Sequence, residues 1–307
     1  MSRPLTSICI LSFNRKPFLT ATLDSLLEQR ERLNLEIIAV DNGSSDGSAD
    51  VVRDYADRFG IIGLPQEKNW GVSPGRNIGY RVATGDFLLS LDEDSIPSLE
   101  LLEAIPDYLN ERKDVALLAP LILNAATGNR HFDYGDEPRA VANFSGAAYA
   151  FRRSLLMATG GLDDKLFFGG EELDFSMRAF DLEGLTMYEP GLTVRTDIPA
   201  RVGGLAHDRL IGWTYSWHRV LAKNLPLGLA RRFSRNYMLP QLIRFYTQWE
   251  LADARQYRAA IKEGFASGLA DHRAISAEAV RYYSNPSLEP VFGNRSVGQK
   301  LIRKLLK

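Results

Sequence analysis

The sequence predicts an α/β fold, a mostly parallel central sheet with flanking helices, extended by a helical C-terminal region. Three observations carry this. Short apolar, β-branched runs alternate with amphipathic helical stretches from Ser7 to Leu121. The runs are continuously apolar, as strands covered on both faces are. From about Asp208 the pattern turns helical and stays so.

Ser7–Phe13 (SICILSF) is the first strand. Pro17–Gln29 follows with helical spacing, placing Phe18, Leu19, Leu23, Leu26 and Leu27 on one side. Glu36–Val40 is the second strand and ends at Asp41. The turn formers Asn42 to Gly47 come next, then a helix over Ser48–Phe59. Ile61–Leu64 is a third strand. Ser73–Thr84 reads as a helix with Ser73 as N-cap, Pro74 at its first position and Gly85 at its end. Asp86–Leu91 is a fourth strand, running into Asp92-Glu93-Asp94. A helix over Ser98–Asn110 and a strand over Val115–Leu121 follow. Leu123 to Ala142 is polar and irregular. Beyond it lie a strand-like run Asn143–Phe151, a short helix Arg152–Thr159, a glycine-rich aromatic loop Leu166–Gly170, a helix Glu171–Leu182 and a strand Leu185–Tyr188. In such sheets ligands bind beyond the C-terminal strand ends. Asp41 and the Asp92–Asp94 cluster lie at that edge.

The 307 residues are 45% hydrophobic and 24% charged, which excludes a disordered or collagen-like chain. The single cysteine, Cys9, excludes an internal disulfide and a cysteine-based zinc cluster. No run of apolar residues is long enough to span a bilayer, and Ile8–Leu11 is too short for a signal-peptide core. The expected location is cytoplasmic. The net charge of −1 conceals a division: residues 1–204 carry −11 and residues from Leu205 onward carry +10. The chain therefore reads as two parts, 1–204 and a basic, mainly helical 205–307. The basic part suits an anionic surface or substrate, or the acidic part itself. It lacks a zinc or RNA-recognition signature, so no nucleic-acid partner is expected.

Two carboxylates at i and i+2 where a strand gives way to a loop suit one hard cation with oxygen ligands. Asp92 and Asp94 have that spacing. Asp41 at a strand end can accept hydrogen bonds from a base or ribose. Asn69-Trp70-Gly71-Val72-Ser73-Pro74-Gly75-Arg76-Asn77 has two glycines that permit close backbone approach. Arg76 falls in the first turn of its helix, where a cation opposes the dipole. It therefore needs an anionic partner, either a diphosphate or the Asp92–Asp94 cluster. Glu171, Glu172 and Asp174 crowd a helix's first turn, where acids favour the dipole and where one can serve as a general base. Arg178 lies four residues after Asp174, placed to pair with it.

Together, in this order, these segments resemble the GT-A-fold glycosyltransferases of family 2, including bacterial rhamnosyltransferase-like members. The resemblance covers roughly residues 5–200. Ser12-Phe13-Asn14-Arg15 is similar to the family's first strand end, Val40 through Gly47 to its VDNGSxDG segment, and Asn69 through Asn77 to its N-x-G-x-x-x-x-R-N segment. Leu91–Asp94 is similar to its D-x-D, Ser145-Gly146 and Gly160-Gly161-Leu162-Asp163 to its acceptor side, and Gly170–Ala179 to its G-E-D-x-D-x-x-x-R-A helix.

The resemblance implies a GT-A, Rossmann-like sheet and an inverting, metal-dependent transfer of a sugar from a nucleoside-diphosphate sugar to an acceptor hydroxyl. Nucleotide-sugar contacts would come from Phe13, Asn14, Arg15, Asp41, Asn69, Arg76, Asp92 and Glu93. Mn²⁺ or Mg²⁺ would be held by Asp94 and Asp92. The family's base is the Asp of an E-D pair, and here the pair reads Glu171-Glu172, with Glu172 at the Asp position and Asp174 a further motif acid. Relatives often place a metal-binding histidine in the strand after that helix; this chain has none there, and His207, soon after, is the candidate. The expected donor is a dTDP, UDP or GDP sugar and the acceptor a saccharide or lipid-linked acceptor, in cell-surface polysaccharide or glycolipid synthesis. The basic amphipathic tail Val297–Lys307 adds peripheral contact with the inner face of the membrane, and a homodimer is a further expectation.

Three rival readings share part of this pattern. A haloacid-dehalogenase-like phosphatase carries its D-x-D on the first strand, whereas three strands precede this one. A sugar-1-phosphate nucleotidyltransferase needs a glycine-rich first loop, absent from Ser12-Phe13-Asn14-Arg15-Lys16. A sugar-nucleotide-binding module whose base is lost shares every motif and differs only in turnover.

Overall fold

The computed structural model describes residues 4–197, 207–236 and 251–285. The chain begins β1 (Thr6–Ser12), α1 (Lys16–Leu27), α2 (Arg30–Leu33), β2 (Leu35–Asp41), α3 (Ser48–Phe59), β3 (Ile62–Pro65) and α4 (Val72–Val82). It continues β4 (Phe87–Asp92), β5 (Ser95–Pro97), α5 (Leu99–Glu111), β6 (Val115–Asn124), β7 (Arg130–His131), β8 (Arg139–Val141) and β9 (Ala148–Arg152). Next come α6 (Arg153–Thr159), α7 (Glu171–Phe180), β10 (Leu185–Thr196) and α8 (His207–Asn224). A helix over the described residues 227–236 (α9), then α10 (Leu251–Ala270) and α11 (Ala277–Tyr283), complete the described chain.

The strands form one sheet in the order β3-β2-β1-β4-β9-β6-β10-β5. The first four are parallel, as expected. β9 then runs antiparallel to both β4 and β6, while β6 and β10 are again parallel. The sheet is therefore mixed. An apolar run reads the same in either direction, so periodicity does not reveal that β9 is reversed. The path ends on the short β3 and β5, which finish at Pro65 and Pro97, while β7 pairs with β6 and β8 with β10 off that path.

One face of the sheet packs Ile8, Ile10, Ile37 and Leu89 against Leu19 and Leu23 of α1 and Leu101 and Ile105 of α5. The other packs Cys9, Ile38 and Leu88 against Tyr80, Phe151 and Phe175. A third cluster joins Leu166, Leu173 and Met177 to Val220 and Leu221 of α8, to Leu225 just past it, and to Ile275 and Tyr283. The parts divided at residue 204 thus share a core.

Several boundaries differ from expectation. α4 starts at Val72, and its N-cap is Gly71 at φ 92°, not Ser73. It ends at Val82, and Gly85 is not its cap. A Cβ at Gly85 would lie 2.7 Å from the Ser7 nitrogen, so this glycine permits close approach to β1. Ser98 does cap α5, its Oγ accepting from the Leu101 N–H at 3.2 Å. Asn143 to Ala147 form a loop rather than strand, and the strand begun at Leu185 runs on through bulges to Thr196. That extension carries Thr196 and Asp197 back to the strand-end edge.

Candidate active site

β1, β2 and β4 end level with one another: Ser12 pairs with Asp41, and Leu11 with Asp92. Asp41 is fully buried. Its Oδ2 accepts from the Ser44 N–H at 3.2 Å, while Oδ1 has no protein donor. A buried carboxylate oxygen without a partner is a place where a ligand donor fits. Asn14, at φ 56°, accepts from the Ser45 N–H at 2.8 Å and donates its own N–H to Ser44 Oγ at 2.8 Å. It therefore stitches the first two strand-end loops together. Asn69 does the same for the third, accepting from Asn42 Nδ2 and the Gly71 N–H. Phe13 stands exposed beside them.

Arg76 meets the carboxylate cluster, one of the two partners open to it. Its buried guanidinium donates to Asp92 Oδ1 at 2.5 Å, to the Gly146 carbonyl at 2.8 Å and to Ser90 Oγ at 2.5 Å. Tyr80 donates to the same Ser90 Oγ and shares a hydrogen bond with Tyr149. Asp94 Oδ2 accepts from Arg15 Nη2 at 2.6 Å and its Oδ1 from Thr196 Oγ1 at 2.8 Å. Arg15 also lies 3.7 Å from Glu93 and stacks on Phe18. Burial raises the pKa of all three acids. Glu93 is pushed up to about 8, by burial and then by the Asp92 charge.

The donor set is all oxygen, and a cation relieves the repulsion among these acids. Among the described residues no three His, Cys, Asp or Glu side chains surround one point as a complete cage. An ion held by one or two carboxylates and completed by phosphate oxygens fits that set, as Mg²⁺ commonly is. Asp94 and Asp92 would hold it. His207 opens α8, and its side chain lies outside the described residues.

Gly169 and Gly170, at φ 78° and 86°, turn the chain into α7. Only glycine adopts two such conformations in succession without strain. A Cβ on Gly169 would strike the Trp213 indole, so the loop sits directly on α8. Glu171 is buried and its Oε2 has no partner. Burial and the adjacent Glu172 push its pKa up to about 8. Glu172 is half-buried and accepts from the Gly146 N–H. Burial raises its pKa too, and both acids feel Arg76 and Asp92. The acidic helix start and the D-x-D corner thus meet, with the Gly146 peptide between them.

Asp174 does not fit the role of a base. It is 1% exposed. Arg178 donates to its Oδ2 at 2.8 Å, while Lys223 and Asn224 each donate to its Oδ1 at 2.8 Å. Burial opposes its charge, but Arg178 and Lys223 outweigh burial and hold the carboxyl well below its usual range. The expected i,i+4 pair with Arg178 is present.

The sequence profile described as glycosyl transferase family 2 matches residues 7–160, half of the chain. The chain belongs to that family. Family 2 relatives include an uncharacterized glycosyltransferase, EpsJ, of Bacillus subtilis, 26% identical over 64% of this chain and 62% of EpsJ. An uncharacterized glycosyltransferase of Haemophilus influenzae is 27% identical, over 60% of this chain and 65% of its own length. The chain thus spans less than two thirds of these curated relatives. Among solved structures, S. aureus TarS 1–349 aligns with a TM-score of 0.64 at 17% identity, over 87% of this chain and 81% of that one. The mannosyltransferase PcManGT of Pyrobaculum calidifontis, in complex with GDP-Man and Mn²⁺, aligns at 0.58 and 20% identity, over 88% and 86%. These likenesses establish the GT-A fold.

Within this family 2 site, sequence reasoning did not single out Thr196, Ser90, Tyr80, Tyr149, Lys223 or Asn224. Each acts across a long separation in the chain, from 10 residues for Tyr80 and Ser90 to 102 for Thr196 and Asp94. Local spacing carries no trace of such pairs.

Proposed function

We propose that this chain is an inverting, divalent-metal-dependent glycosyltransferase. It moves a sugar from a nucleoside-diphosphate sugar to an acceptor hydroxyl. The observation that carries this reading is the convergence, on one sheet edge, of Asp41, the Asp92–Asp94 pair and the Glu171–Glu172 helix start. Asp41 supplies an acceptor for a base N–H, and the D-x-D corner holds the diphosphate end of the donor. Glu172, half-buried and fixed by the Gly146 N–H, takes the proton from the acceptor hydroxyl as its oxygen attacks the anomeric carbon. The leaving diphosphate departs from the opposite face, so one displacement inverts the configuration. The metal, when bound, stabilises charge that develops on the leaving group. Arg76 acts through Asp92, fixing a carboxylate that would otherwise be repelled by its neighbours.

Solved complexes of structural neighbours with UDP-GlcNAc and with GDP-Man support a nucleoside-diphosphate-sugar donor, and dTDP joins UDP and GDP as a candidate. A hyaluronan synthase of Pasteurella multocida, 31% identical over 37% of this chain and 12% of that entire protein, supports a saccharide or lipid-linked acceptor in polysaccharide synthesis. No described helix is long and apolar enough to cross a membrane. The basic tail offered for peripheral membrane contact lies outside the described residues.

Thermal shift with UDP, dTDP and GDP, each with and without Mn²⁺, tests the donor site. A saturating ligand at 100 times its dissociation constant adds about 2.7 kcal/mol. Asp94→Ala should remove the metal-dependent shift, while Glu172→Gln should keep it and lose transfer. No metal-dependent shift with any nucleotide, or equal loss of binding in both variants, overturns the assignment.

A further inference from the structure

The C-terminal helices bring charge to α7 that the proposed chemistry does not use. Lys223 near the end of α8 lies 2.8 Å from Asp174 and 2.7 Å from Asp163. Arg219, one turn earlier, donates to both oxygens of Asp163 at 2.9 and 3.0 Å and to Asp271 at 2.7 Å. Asn224 donates to Asp174 and, through Nδ2, to the Val220 carbonyl. Arg219, Asp163 and Asp174 are almost wholly excluded from solvent. Buried charges of this kind persist only when paired on every side.

Asp174 sits two residues beyond Glu172, in the same first turn of α7. Arg178 binds one carboxylate oxygen from within α7, and Lys223 with Asn224 bind the other from α8. The carboxylate is therefore gripped from two directions, which fixes both the rotation and the height of that turn. We infer that Lys223 and Asn224 are positioning residues for catalysis: they act through Asp174 to aim Glu172 at the acceptor hydroxyl. This rests on the reading of Glu172 as the base. The C-terminal region is then part of the catalytic apparatus, not only a partner-binding appendage. The clamp touches none of the donor-side acids directly, because Asp41 and Asp92 end β2 and β4 and Asp94 stands two residues past β4, none of them on α7.

The test compares Lys223→Met, Lys223→Arg and Asn224→Ala in the full chain. The measurements are kcat, donor KM, Mn²⁺-dependent nucleotide affinity by calorimetry, and cooperative unfolding. A misplacement near 1 Å costs on the order of 100-fold in rate. Lys223→Met should therefore lose roughly 10- to 100-fold in kcat with nucleotide affinity nearly unchanged, and Lys223→Arg should recover most of it. A folded Lys223→Met with unaltered kcat overturns the clamp, as does loss of nucleotide affinity in step with kcat. Should Lys223→Met fail to fold, Asn224→Ala decides, since it removes one neutral donor and keeps the charge balance: reduced kcat at constant nucleotide affinity upholds the clamp, and unaltered kcat overturns it. Full turnover by Glu172→Gln overturns the base reading instead, whatever the clamp variants do.

Discussion

Glu171 and Glu172 are adjacent, yet their surroundings give them different chemistry. Glu171 is buried, and burial together with the adjacent Glu172 charge raises its pKa and favours the neutral form. A glutamine there imitates the form already present, so Glu171→Gln should keep kcat within a few-fold. Glu172 is the more accessible acid and accepts from the Gly146 N–H. Glu172→Gln should lower kcat by roughly 10²- to 10⁴-fold, the usual range for a positioned base. Equal effects in the two variants would reverse the assignment. A second residue titrates within the fold itself. Burial lowers the His218 pKa to about 4, and its Nδ1 lies 2.7 Å from Ser234 Oγ. In the unfolded chain a histidine titrates near 6.5. Between those values the unfolded state binds the proton and the folded state does not. Stability is thus fully present above about pH 6.5 and falls as pH drops toward 4, by up to about 3 kcal/mol. His218→Asn should flatten that part of a melting temperature–pH profile; an unchanged slope would assign the acid loss to other groups.

At the scale of elements, the junction between Gly71 and Phe167 holds the third strand-end loop against the loop before α7. The Val72 N–H donates to the Phe167 carbonyl at 2.7 Å. A Cβ on Gly71 would lie 2.7 Å from that same carbonyl oxygen and 2.7 Å from the Phe167 ring, at φ 92°. Gly71→Ala should cost about 2 kcal/mol or more, combining left-handed strain with the collision. Its melting temperature should fall by several degrees while Ser98→Ala, which removes a single cap, costs about 1 kcal/mol. Elements whose information is local were legible in the sequence. α3 matches its expected span, and α1 and α5 fall within two residues of theirs, because periodicity and caps lie within the segment. The cap of α4 was not, because Gly71 serves as cap only once Phe167 is packed on it. The reversal of β9 was not, because direction in a sheet depends on the neighbours chosen. The acids of the site were legible for the same reason as the helices: Asp41, Asp92–Asp94 and Glu171–Glu172 are contiguous motifs. Their division into ion-paired, half-buried and clamped forms depends on Arg15, Arg76, Lys223 and Gly146, which come from elsewhere in the chain.

For the whole molecule, the charge asymmetry finds part of its meaning inside the fold. Arg219 and Lys223 belong to the basic C-terminal part, and they meet Asp163 and Asp174 of the acidic part. The apolar contacts agree, since Leu173 and Met177 of α7 are covered by Val220, Leu221 and Leu225. A chain cut after residue 197 would expose this surface and strand Asp174 without two of its three donors. That fragment should be insoluble or lack a cooperative unfolding transition, checked by calorimetry beside the full chain; a fragment that melts cooperatively would make the two parts separable.

The margins of the sheet bear on how copies of the protein meet. A strand left open along its side offers a template on which another chain can add a strand. Among the described residues the terminal strands β3 and β5 span only four and three residues, and each finishes on a proline that has no N–H to give; β8, beside β5 on β10, is three residues long. Pairing sheet to sheet across two molecules is disfavoured along β3 and β5. Contact between copies then falls to the helical faces rather than to these two strands.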